Sequence, residues 1–171
     1  MKVGIGRFIL GEFQLELISS EPKLQARPGG FGTIEYVANL EESDFSVDFD
    51  SYKDFFIGNK VILRFRKEDS KLNRIDANVN EEFTDDILPI LIEKYGPSEP
   101  NKLFVKPIYG KLITCPLGKI KIILTQVRNT FDGGDFKPLT CASFRMRLYP
   151  SSYRTSSREN HLQNSTLNKQ Q

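Results

Sequence analysis

Few side chains in this sequence can carry covalent or acid–base chemistry. The single histidine, His161, sits in a polar C-terminal stretch. That removes Ser-His-Asp and Cys-His nucleophile systems and histidine-rich metal sites. Cys115 and Cys141 are too few for a disulfide scaffold or a structural zinc site, and two buried thiols in strands are the expectation. Carboxylates remain. Asp44, Asp48, Asp50 and Asp54 cluster, but they lack the glycine and the terminal glutamate of a calcium loop. Asp48 and Asp50 lie two apart, so on a strand they share one solvent face. Gly4-x-Gly6 lacks the third glycine and the following helix of a dinucleotide fingerprint. The sequence thus nominates no catalytic residue, no metal site and no cofactor.

Cationic residues give the stronger signal. Residues 1–100 hold 12 Lys+Arg against 19 Asp+Glu, whereas residues 101–158 hold 11 against two. Such polarity bears on partners more than on fold. Lys119 and Lys121 alternate with Ile120 and Ile122, and Arg145 and Arg147 with Phe144, Met146 and Leu148. If the apolar residues face inward, the four cations face outward. If the two strands are neighbours, they form one patch, extended by Tyr149, Tyr153, Arg154 and Arg158. The patch would suit an unknown protein partner with an acidic surface, or self-association of the basic half with the acidic half. Single-stranded nucleic acid or RNA is the alternative, because aromatics beside cations stack on bases. The plainest competing account is a solvated strand face.

The elements that would hold this patch follow from periodicity. With 171 residues, 39% of them hydrophobic, one domain over residues 1–150 is expected. The predicted class is α+β: a mostly antiparallel meander with one short helix near residues 86–95 packed on it. Asp86 as N-cap would place Pro89 in the first turn, where its missing N–H costs nothing. Gly96 would supply a left-handed C-cap and Pro97 the stop, with Leu88, Leu91, Ile92 and Tyr95 on one stripe. Residues 1–20 suggest one or two strands, with Phe13, Leu15 and Leu17 alternating, and residues 22–32 a loop. Strands are predicted at Thr33–Leu40, around Phe45–Phe49, and at Lys53–Ile57 and Lys60–Lys67 about a Gly58-Asn59 turn. Further strands follow around Ile75–Val79, at Leu103–Tyr109, Lys111–Cys115, Lys119–Arg128 and Thr140–Tyr149. No apolar run is long enough for a membrane span, and Phe8-Ile9-Leu10 is too short for a secretory signal, so a cytoplasmic protein is expected.

The run Ile87–Pro97, ending in Lys94-Tyr95-Gly96-Pro97, together with Gly118–Ile122 and Phe144–Tyr149, resembles the helix–strand–strand arrangement of small bacterial accessory domains, often of exported or lipoprotein type. The resemblance covers less than half of the chain. Many of those domains carry a tryptophan in the strand after the helix, and this chain has none. It implies an α+β shape and a non-enzymatic role, and it transfers no functional residue. The expectation is a non-catalytic partner-binding accessory protein of a bacterium or phage, with nucleic-acid binding second and a carboxylate-dependent enzyme third.

From residue 151 onward the chain is rich in Ser, Thr, Asn and Gln and is predicted to be a disordered tail, too poor in apolar surface to offset its ordering entropy. Deletion of residues 156–171 should therefore leave the thermal midpoint unchanged in a calorimetric scan, and a marked drop would show that the tail docks on the domain.

Overall fold

Alternation of apolar and polar residues becomes strand in this chain where it is sustained and helix where it is brief. The computed structural model describes residues 2–21, 23–41, 55–100, 107–129 and 139–151; at 81, 127–129 and 139–141 it describes backbone alone. In chain order the elements are β1 (Gly4–Ile5), β2 (Phe8–Ile9), α1 (Gln14–Ser20), β3 (Gln25–Arg27), β4 (Thr33–Asn39), β5 (Lys60–Arg66) and β6 (Leu72–Val79), then α2 (Thr84–Tyr95), β7 (Tyr109–Cys115), β8 (Gly118–Asn129) and β9 (Leu139–Pro150). β1 and β2 form a small hairpin. The other seven strands form one antiparallel sheet in the order β3-β4-β5-β6-β9-β8-β7. The fold is α+β, and its sheet is two meanders joined between β6 and β9.

The inward face is dry along a single line. Leu63, Ile75, Met146 and Ile122 stand opposite one another across β5, β6, β9 and β8, and all four are fully buried. Each removes a side chain from water, worth roughly 1.5–3 kcal/mol. Phe65, Val61, Leu124 and Phe144 extend the same layer. Helix α2 lies on this face through Ile87, Leu91 and Tyr95, spaced i, i+4, i+8. The stripe is rotated from the predicted one, since Leu88 is half-buried and Ile92 is exposed.

The helix also begins earlier than Pro89 suggested. A 3-10 turn, Glu81–Phe83, leads directly into Thr84, and no side chain caps the first turn. Pro89 is thus the sixth helical residue and forgoes one helical hydrogen bond. Asp85 and Asp86 sit in the first turn, at the positive end of the dipole. The C-terminal end falls at Gly96 as expected, with the positive φ that favours glycine, although its ψ of 176° is extended and not left-handed helical. Gly96 has φ 90°, and its N–H donates to the Ile92 carbonyl at 2.8 Å.

Three other segments differ from the sequence reading. Phe13, Leu15 and Leu17 belong to a helix start rather than a strand. Only Leu17 is buried and Leu15 is 77% exposed, because Leu, Gln and Glu are good helix formers and three alternating positions do not specify a strand. The 22–32 loop contains the edge strand β3, whose three residues are all exposed. Gly58-Asn59 turns the chain with φ of 65° and 49°, but Phe56 bridges to Val79 instead of pairing with β5. Residues 45–49, 53–54, 103–106 and the tail lie outside the described residues.

Register separates the cysteines. Cys115 is a half-buried free thiol paired with Gly118, whereas Cys141 pairs with Val127 nine residues further along β8. Nine residues of strand span roughly 30 Å. A disulfide needs Cα atoms within about 7 Å, so the two cannot bridge within one chain. Among the described residues, no helix is long and apolar enough to cross a membrane.

Tyr109 locks the second meander onto α2. Its ring is fully buried, and its hydroxyl donates toward the carbonyls of Gly96 at 2.9 Å and Leu91 at 3.3 Å. Burial first, and then the charge of Glu99, push this hydroxyl up to about 12 from 10.0. The unfolded chain loses the proton at the lower value. The stabilisation is therefore complete below about pH 10 and is lost as pH climbs toward 12. Tyr109→Phe should cost about 1 kcal/mol at neutral pH. In urea unfolding at about pH 9 and about pH 11, the wild type should lose more stability between the two than Tyr109→Phe does.

Candidate binding face

The register that buries Leu63, Ile75, Met146 and Ile122 fixes what lies on the other side of the sheet. One row crosses all seven strands: Arg27, Glu35, Arg64, Arg74, Arg147, Lys121 and Leu112. The next row runs Val37, Ile62, Asp76, Arg145, Ile123 and Gly110 from β4 to β7. On the other flank, Tyr149, Lys119 and Thr114 stand opposite one another on β9, β8 and β7. Both described helices pack on the opposite, apolar face through residues of the core, among them Leu17 and Leu91.

Two carboxylates organise the half of this face formed by the first meander. Glu35, its side chain only 5% exposed, lies between Arg27 Nε at 3.3 Å and Arg64 Nε at 3.2 Å. Asp76, at 16%, gathers three arginines. Its Oδ1 accepts a hydrogen bond from Arg145 Nε at 2.7 Å, and Arg74 and Arg64 Nε approach Oδ2 at 2.7 and 3.3 Å. Those last two approaches are ion pairs out of line for a hydrogen bond, so the buried Nε groups of Arg64 and Arg74 lack an aligned acceptor. Burial draws the Arg74 guanidinium below its ordinary pKa; Asp76 opposes this, while Arg145 and Arg64 add to it.

Apart from Arg145, the described cations on the half formed by the second meander have no such relief. Lys119, Lys121 and Arg147 reach no carboxylate among the described residues. Arg147 lies over the Tyr149 ring, 4.8 Å from its centroid. Beside them a groove of about 520 Å³ is lined by Leu112, Thr114, Cys115, Lys119, Tyr149 and Pro150, among others.

The structure brings five of the sequence-nominated residues together: Lys119, Lys121, Arg145, Arg147 and Tyr149. Arg145 differs from the rest because Asp76 holds it. Tyr153, Arg154 and Arg158 lie outside the described residues, as do Asp44, Asp48, Asp50, Asp54 and His161. Sequence reasoning missed Arg27, Glu35, Arg64, Arg74 and Asp76 as members of the patch. The outward parity of Arg64, Arg74 and Asp76 was available, but not the neighbourhood of β6 and β9. Among the described residues, no group of three or more His, Cys, Asp or Glu could hold a metal ion. What the arrangement can do chemically is bind anions, through guanidinium forks suited to carboxylate or phosphate.

Comparison of the chain with protein-family models, with curated proteins and with solved structures finds no match.

Removing Asp76 leaves three arginines facing one another in a half-buried cluster, and a broken buried pair costs more than an absent one. With its partial exposure taken into account, Asp76→Asn should destabilise by about 2 kcal/mol in urea unfolding. Added salt should recover part of the loss by screening the arginines.

Proposed function

We propose that this chain is a non-catalytic partner-binding protein whose cationic sheet face docks the acidic surface of another protein. The supporting observation is the charge imbalance. On the rows described, Arg27, Arg64, Arg74, Arg145, Arg147, Lys119 and Lys121 are answered by two carboxylates, Glu35 and Asp76. Excess cations on an open face steer and orient an anionic partner. Single-stranded nucleic acid or RNA is the competing occupant. It is less well served, because Tyr149 is the one aromatic among the described residues of these rows, and Arg147 already lies over its ring.

The test uses Lys119→Glu, Lys121→Glu and Arg147→Glu together, with Arg145 kept because Asp76 depends on it. Lys119 is exposed, and Lys121 and Arg147 are half-buried on the outer face, away from caps and core. Substitutions there usually cost little, and a glutamate opposite Arg74 relieves a like-charge pair, so the triple variant should fold with a thermal midpoint close to that of the wild type. Wild type should retain an acidic protein from lysate after nuclease treatment, and the variant should lose it. Retention abolished by nuclease would transfer the face to nucleic acid. A wild-type dimer that the variant dissociates would mean self-association. Unchanged retention by the variant would overturn the assignment of this face.

A further inference from the structure

Like charges directly opposite on neighbouring strands destabilise a sheet. This sheet places three such pairs in succession: Arg64 with Arg74, Arg74 with Arg147, and Arg147 with Lys121. At about 4.8 Å per strand, the four cations span roughly 14 Å across the strands.

The chain's own carboxylates show what such a row accepts. Glu35 sits between Arg27 and Arg64, and Asp76 among Arg64, Arg74 and Arg145. Glu35 thus separates Arg27 from Arg64, and Asp76 lies among the arginines at the β6–β9 seam; beyond the seam no carboxylate among the described residues reaches Arg147, Lys121 or Lys119. There Lys121 stands opposite Leu112 and beside Ile123 on its own strand, neither of which can accept a hydrogen bond through its side chain, and Arg147 lies over the Tyr149 ring. Next to them opens the groove of about 520 Å³ between Leu112, Tyr149 and Pro150.

Resting on the partner-binding reading above, we infer that the occupant is an extended peptide segment of the partner that crosses the strands. Alternate Asp or Glu side chains of the segment continue the carboxylate lattice over Arg74, Arg147 and Lys121, and a flanking apolar side chain enters the groove beside Leu112. An extended chain presents alternate side chains on one face about every 6.8 Å, so two or three carboxylates fit the row. A carboxylate-bearing peptide is favoured over a nucleic acid because, among the described residues of these rows, Tyr149 is the one aromatic available for base stacking and Arg147 already lies over its ring.

Fluorescence anisotropy with the full chain tests this. The probes are a labelled peptide of Glu-Ser repeats ending in Leu, the same peptide ending in Ser, and a labelled oligothymidylate of equal charge. The variants are Lys121→Gln with Arg147→Gln, and Lys2→Gln with Lys23→Gln as a charge-matched control. The acidic peptide should bind with salt-sensitive affinity and weaken at least about tenfold in the Lys121/Arg147 variant but not in the control. The Leu-ended peptide should bind more tightly than the Ser-ended one. Peptide binding that the Lys121/Arg147 variant leaves intact would overturn the row as the seat, while the broader reading of an acidic partner would survive. Equal affinity of the two peptides would overturn the groove as the apolar seat. Oligothymidylate binding as tight as the peptide would overturn the carboxylate assignment, and the broader reading with it. Absence of binding by either peptide would likewise overturn the inference.

Discussion

The pairing of β6 with β9 is the constraint on which the rest of this structure depends. It joins two meanders whose residues lie far apart in the chain; Asp76 and Arg145, which it sets opposite each other, are 69 positions apart. The apolar side chains fix its register. Ile75 must meet Met146, and Ala77 must meet Phe144, for the inward face to stay dry. A slip by one residue would turn those groups into water and bring arginines into the core. The juxtaposition of Arg74 with Arg147 is therefore imposed by the core, and the electrostatics of the outer face inherit it.

Two devices make the imposed geometry tolerable. On the outer face Asp76 lies within ion-pair distance of Arg64, Arg74 and Arg145, which offsets part of a repulsion that the strand order would otherwise leave unanswered. On the inner face α2 connects β6 to the far edge strand, so that the second meander must run back toward the seam. Its end is held by the Tyr109 hydroxyl at Gly96 and Leu91. It is held again where the Glu99 N–H donates to the Gly110 carbonyl, and where Lys111 pairs with Glu99 at 2.8 Å. These contacts tie the start of β7 to the helix, and β8 and β9 then follow by ordinary hairpin pairing.

Much of the fold was legible because alternation is a local property. The inward residues of β5, β6, β8 and β9 and the positive φ of Gly58 and Gly96 were all visible in short windows of sequence. What failed depended on neighbours. α1 carries a strand-like alternation too short to outweigh its helix formers, and β3 is a strand only because β4 offers it an edge. Pro89 was read as a first-turn residue, yet the preceding 3-10 turn delivers the chain into a helix that starts five residues before it. The candidate site divides in the same way. Parity along one strand placed Lys119, Lys121, Arg145 and Arg147 outward, but the Asp76 cluster required the strand order, which no local window contains.

The ion-pair cluster is a poor choice if stability alone were the criterion. Well-packed apolar residues in place of a buried ionic cluster are often neutral or stabilising. The opposite face shows that this sequence can build such a layer, since its four-strand row is wholly apolar. Even within the cluster, two guanidinium Nε groups remain without an aligned acceptor. Among the described residues of these rows arginine outnumbers lysine five to two, and its planar fork matches a carboxylate or phosphate better than an ammonium does. Among the described residues of these rows, five arginines and two lysines face two carboxylates beside a largely apolar groove, an imbalance that the packing of the fold does not require and that motivates the proposal of an anionic partner.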